Sequence, residues 1–121
     1  MRLTLILFFL INSNIMLAQK QSTFIYELTR YAPYQHRAMW TDREHEIQKQ
    51  HVDYLDSLEE AGSLLLAGIM DQNLENHTGF VMLQTEDYQE AFELVQQDPS
   101  IKEGMMSAKL RPINIYFKYE E

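Results

Sequence analysis

The chain has 121 residues, enough for one domain with one modest core. It carries no cysteine, so disulfides, thiolate metal sites and cysteine nucleophiles are excluded. With 18 acidic residues against 10 lysines and arginines, a net charge of -8 and no basic run, it is a poor partner for nucleic acid or anionic lipid.

Arg2, the apolar run from Leu3 to Ile11, the break at Asn12, Ser13 and Asn14, and the small Ala18 have the layout of a cleavable export signal. The expectation is that residues 1–18 are removed and residues 19–121 form one domain, periplasmic or secreted, with no membrane contact after cleavage. An uncleaved anchor is the alternative, but a spanning helix wants about 20 apolar residues and this run is interrupted well short of that.

Thr23 to Arg30 alternates Phe24, Tyr26 and Leu28 with Ile25, Glu27 and Thr29, the period of a strand with one buried face. A polar loop containing Pro33 follows. Thr41 and Glu44 have capping-box spacing, and Ile47, His51, Tyr54, Leu55, Leu58 and Ala61 then recur every three or four residues until Gly62. This is a helix of about five turns. Trp40, just before the capping threonine, is expected to pack against the helix start.

Ser63 to Met70 is a continuous apolar run, read as a central strand covered on both faces. Residues 71–78 form a polar turn, and Gly79 to Thr85 a third strand. Thr85, with Glu86 and Asp87, is expected to cap a second helix that turns Tyr88, Ala91, Phe92 and Val95 inward and ends near Asp98 and Pro99. One short turn closed by Gly104 follows. Ile113 to Tyr119 alternates again and reads as the last strand.

The order βαββαβ is the ferredoxin-like α+β arrangement, an antiparallel sheet with both helices on one face. The pattern places Ile25, Val81, Leu83 and Tyr116 on one face of the sheet and Phe24, Tyr26, Phe80, Met82 and Phe117 on the other. Two helices cover only one face, so a monomer leaves a broad apolar patch, and a homodimer through the sheet face is expected.

The segments "HVDYLDSLEEAGSLLLAG", "FELVQQDPSIKEG" and "LRPINIYF", in that order, resemble the YCII-related (YciI-like) family of small dimeric α+β-barrel proteins. The likeness covers about Phe24 to Phe117. It departs from the family where Gly68 is followed by Ile69 in place of the proline often found there. The resemblance implies a cleft in which His51 and Asp98 face each other as an active site.

The two residue types suit such a role. A carboxylate beside an imidazole fixes the ring tautomer and orients the other nitrogen toward a ligand, as a general acid or base requires. No serine partner is evident: Ser57 lies far round the helix from His51, and Ser100 is expected to cap the short turn, so nucleophilic hydrolysis is unsupported. The structural alternative is a half-buried core histidine and an aspartate that caps the helix after it.

Other candidates are weaker. His45 and His51 are separated by about 240° of helix and cannot chelate one metal, so no metal site is expected. His36, His45 and His77 read as structural or solvent-facing. Arg30, Arg37 and Arg43 can place a cation at the cleft mouth, with surface solvation as the default. Tyr26 and Tyr116 either line a pocket or fill the dimer seam, with the seam preferred, and Asp42 to Glu46 is expected as a solvated helix face.

Two functions of different class follow. One is an exported enzyme, without a cofactor, doing isomerase- or lyase-type proton transfer on a small molecule, with His51 as acid/base and Asp98 orienting it. The other is a non-catalytic dimeric module that binds a small hydrophobic ligand in the same cleft. Under the enzyme reading, His51→Ala and Asp98→Asn abolish activity and leave the melting temperature nearly unchanged; under the structural reading they chiefly lower stability.

Overall fold

The computed structural model describes residues 21–70 and 78–121. The expected signal segment and most of the polar turn before Thr78 lie outside them. Strand β1 (Ser22–Arg30) leads through two short 3-10 turns to helix α1 (Asp42–Glu60) and strand β2 (Leu64–Ile69). Strand β3 (Thr78–Thr85), helices α2 (Tyr88–Gln97) and α3 (Pro99–Lys102), and strand β4 (Met106–Ile113) complete the domain. The sheet runs β2-β3-β1-β4 with every pair antiparallel, the ferredoxin-like α+β topology expected from the element order.

Local chemistry explains most boundaries. Thr41 is the N-cap of α1, but its hydroxyl donates to the Glu44 carboxylate at 2.6 Å instead of accepting from the backbone, so half of the expected capping box is replaced by a side-chain pair. Gly62 ends the helix at φ +78°, a conformation that costs any other L-residue about 1 kcal/mol or more. Helix α2 is capped by Asp87, whose carboxylate accepts from the Glu90 amide at 2.9 Å; Thr85 instead donates its hydroxyl to the Asp87 carbonyl. Gly104 closes the turn after α3 at φ +73°.

Register corrects the expected faces. Phe24 pairs with Leu83 and Tyr26 with Val81, so these four share the helix-covered face, while Ile25 pairs with Met82 and lies on the other face with Phe80. Directly paired residues of antiparallel strands project to the same side, a constraint that alternation within single strands does not reveal. The core therefore holds Phe24, Tyr26, Leu28, Val81 and Leu83 against Ile47, Leu58, Ala91, Val95 and Met105.

Three further expectations change. β2 is an edge strand, with Leu66 and Ile69 about half exposed, because continuous apolar sequence cannot distinguish a doubly covered strand from one that lines a cavity. The last strand is Met106–Ile113, so Tyr116 and Phe117 take no part in either sheet face; they are 85% and 97% exposed beyond its end. A strand over Met106–Ile113 tolerates Pro112 because β4 is an edge. In α2, Ala91 and Val95 point inward with Leu94 partly buried, whereas Tyr88 and Phe92 stack on each other at the rim and Tyr88 meets Phe24 edge-on.

A candidate active site around His51 and Asp98

His51 stands on the third turn of α1, on the stripe that faces the sheet, and is 6% exposed. Asp98 occupies the corner between α2 and α3. The residue before a proline is driven out of the helical region, and Asp98 has ψ 122°, which stops α2 and turns the chain into α3 with Pro99 at its first position. Its carboxylate is thereby delivered to the inner side of the two helices, fully buried.

The sequence-predicted pair meets there. His51 Nδ1–H donates to both Asp98 oxygens, at 2.8 and 2.9 Å. Asp98 also accepts the Ser100 amide at 2.9 Å, the Ser100 hydroxyl at 2.8 Å and the Tyr26 hydroxyl at 3.0 Å. Burial pushes the Asp98 carboxyl up, but the bond and charge of His51 and the two Ser100 donors outweigh it and hold the group below the usual carboxylate range. An ionised Asp98 can only accept, so it fixes the proton of a neutral ring on Nδ1 and leaves Nε2 with its lone pair. The opposite shift falls on Tyr26, whose phenol is pushed far up by burial and then by the Asp98 charge. Tyr54, which ties α1 to α2 by donating to the Leu94 carbonyl at 2.6 Å, is pushed up to about 12 by burial and then by Asp98.

His51 forms part of the wall of a cavity of about 270 Å³ between α1 and the β2–β3–β1 side of the sheet. Leu28, Val52, Leu55, Ala67, Ile69 and Met106 make its wall largely apolar. Among the described residues Nε2 has no hydrogen-bond partner, and it is not among the buried orphan atoms, so it is the ring nitrogen available to that space. The arrangement is that of an imidazole base set in an apolar hollow with its rear nitrogen clamped by a carboxylate.

Several residues were invisible to sequence reasoning as parts of this site. Tyr26, expected at a dimer seam, is wholly buried on the helix face and donates to Asp98; the available signal was a tyrosine hydroxyl among apolar neighbours, which needs a partner. Ser100 does not cap the turn. Asp98 caps it, and Ser100 supplies two donors to that cap. Gln48, three residues before His51 on one helical face, also lines the cavity.

Among the expected cations, Arg30 lines the cavity, with its guanidinium 4.7 Å from the Trp40 ring centroid. Arg37 also lies over Trp40, at 5.2 Å, and Arg43 reaches the exposed Glu103 at 3.7 Å. Trp40 packs at the start of α1 as expected, donating to the Tyr34 carbonyl at 2.8 Å. His36 and His45 are exposed, His45 resting edge-on against Trp40; His77 lies outside the described residues. No cluster of three or more metal-ligating side chains occurs among the described residues, and no described helix is long and apolar enough to cross a membrane.

The YCII-related domain matches residues 23–113. The chain belongs to this family. No curated protein matches. Among solved structures, 5-chloro-2-hydroxyhydroquinone dehydrochlorinase from Burkholderia phenoliruptrix AC1100, in complex with 2,5-dihydroxybenzoquinone, superposes with a TM-score of 0.59 at 14% identity, over 76% of this chain and 93% of that one. This YCII-related chain thus shares its fold. SnoaB, a cofactor-independent oxygenase from Streptomyces nogalater, solved as an asparagine-to-alanine mutant, gives a TM-score of 0.49 at 9% identity, over 84% of this chain and 98% of that one.

Proposed function

We propose that this protein is a small-molecule enzyme of lyase or isomerase type in which His51 Nε2 carries a proton and Asp98 positions the ring. The supporting observation is the bifurcated contact of Nδ1 with a buried, ionised carboxylate beside a cavity wide enough for a small substrate. In the proposed step Nε2 takes a proton from carbon next to a substrate carbonyl, giving an enolate and an imidazolium. The proton then returns to a different carbon, which isomerises the substrate, or the electron pair expels a neighbouring leaving group, which eliminates it. That a protein of the same fold is a dehydrochlorinase is in keeping with the second outcome.

The test is exchange of carbon-bound hydrogen in D2O for a panel of small cyclic ketones and hydroxyquinones, 2,5-dihydroxybenzoquinone included. Wild-type protein is expected to catalyse exchange for at least one compound and His51→Ala to lose it. Binding without exchange across the panel overturns the enzyme reading and leaves the non-catalytic, hydrophobic-ligand module that the apolar cavity walls would also serve.

The proposal extends to assembly and location. The uncovered sheet face carries Ile25, Phe80 and Met82, each part-exposed, with exposed Leu66 paired beside Met82, which supports a homodimer through that face. A monomeric mass by analytical ultracentrifugation at micromolar concentration refutes it. Export rests on the sequence of residues 1–18, and a mature protein beginning at Gln19 is the expected result of N-terminal sequencing.

A further inference from the structure

Two polar groups in the cavity wall have no role in holding His51. Arg30 follows Leu28 on the inner face of β1, where the strand meets Met106 of β4, and both neighbours line the same cavity. Its guanidinium is fixed against the Trp40 ring and makes no ion pair among the described residues. Burial, and then the nearby Arg37 charge, lower its pKa from the usual value, yet an arginine remains a cation at neutral pH. An unpaired, partly desolvated cation in a chain of net charge -8 is a local reversal of the overall field.

The second group is Gln48. It projects from α1 one turn before His51, and its Oε1 is buried without a hydrogen-bond partner. The other end of the amide also has no hydrogen-bond partner among the described residues and is not among the buried orphan atoms, so it is the end a ligand can reach, and a hydroxyl, which both donates and accepts, can pair with it in either orientation of the amide.

We infer that the cavity selects a compact hydroxylated organic anion, with Arg30 holding its oxyanion and Gln48 its hydroxyl while the apolar walls take its ring. This rests on the reading that the hollow beside His51 is the ligand site. The size is consistent: a cavity of about 150 Å³ accepts benzene, so 270 Å³ holds a six-membered ring with a few polar substituents. The two groups therefore act as specificity determinants, one for charge and one for hydroxyl.

The probes are 4-hydroxybenzoate, benzoate and 4-hydroxybenzyl alcohol, titrated calorimetrically into the full chain. Wild-type protein should bind 4-hydroxybenzoate most tightly, the alcohol about tenfold or more weaker for want of a charged partner, and benzoate about two- to tenfold weaker for want of a hydroxyl. Arg30→Gln should remove the preference over the alcohol alone, and Gln48→Leu the preference over benzoate alone. Circular dichroism of each variant shows whether it is folded; if one unfolds, Arg30→Met, which keeps a long side chain against Trp40 but not the charge, or Gln48→Met serves in its place.

Equal affinity for the three probes, or no binding at millimolar concentration, overturns the proposal. The imidazole resonances of His51 separate this failure from that of the enzyme reading. Shifts with all three probes at equal affinity place ligand in the cavity and sink only the selectivity. Charge and hydroxyl preference with no deuterium exchange in any compound sinks only the proton transfer.

Discussion

Replacing Asp98 by asparagine tests how the pair works, because it keeps shape and removes charge. The remaining oxygen is expected to stay with Ser100, whose backbone amide can only donate, so the new NH2 group takes the place of Oδ2, facing the Tyr26 hydroxyl and sharing His51 Nδ1 with the retained oxygen. Both neighbours can adapt. The hydroxyl rotates to accept, and the imidazole, no longer held between two acceptors, divides between the tautomer that donates from Nδ1 and the one that accepts there. Bonds to a charged acceptor contribute about 1.5–3 kcal/mol and neutral ones about 0.5–1.5, so taking the charge from an acceptor that serves His51, Tyr26 and both Ser100 donors costs roughly 4 kcal/mol. For a domain of this size that lowers the melting temperature by about 15–30 °C.

Rings that carry hydrogen on the nitrogen facing the cavity cannot act as a base, and the imidazolium formed by the others has lost its counter-charge, so exchange is expected to fall by about tenfold or more, toward the roughly 10²–10⁴ that acid–base catalysis contributes. Urea denaturation reads the first loss, nitrogen-15 NMR of the imidazole reads the tautomer, and deuterium exchange reads the rate. Persistence of the Nδ1–H tautomer with undiminished exchange would refute the reasoning. Sequence alone separates lost activity from lost stability; in a wholly buried carboxylate the two come together, and the tautomer tells them apart.

Acid should unfold the protein through the same group. Asp98 is held below its unfolded value near 3.9, so its stabilisation is complete above that value and is lost as pH falls through the lower folded one; Asp98→Asn should flatten the acid limb of a stability–pH curve below about pH 4. Tyr26→Phe deletes one donor to the buried carboxylate and is expected to cost about 1–3 kcal/mol by urea denaturation, with the Asp98 pKa rising in a carbon-13 NMR titration. Gly62→Ala places a Cβ at φ +78° with open space around it, so the loss is conformational alone, about 1 kcal/mol in the same assay. Truncation after Ile113 removes exposed residues outside the sheet and should change monomer stability by less than about 0.5 kcal/mol.

Much of the architecture was readable because local rules agree with it. Alternation in Thr23 to Arg30, the three-four spacing from Ile47 to Ala61, Gly62, and the Asp98–Pro99 break each correspond to an observed element or boundary. Misreadings arose where the deciding partner is distant in sequence. Cross-strand register sets which face holds Val81 and Leu83, and neighbouring strands decide whether Leu64 to Ile69 is central or at an edge. The apolar alternation of Ile113 to Tyr119 is genuine but finds no strand to join among the described residues, whereas Met106 to Ile113, less regular, lies beside β1. At the site, His51 and Asp98 could be named, and Arg30 as one of three candidate cations, while Tyr26, Ser100 and Gln48 acquire meaning only from what they approach.

The position of Asp98 between α2 and α3 means that the imidazole takes its bearing from a backbone junction and not from a loose side chain. A proline-fixed corner has few ways to move, so small displacements of the surface loops should leave the aim of Nε2 unaltered. The corresponding vulnerability is that a slip of one residue at that corner would detach the base from its anchor while leaving every strand in place. Variation in ligand preference is therefore freest on α1 and β1, where the cavity wall can change without disturbing the hinge on which proton transfer depends.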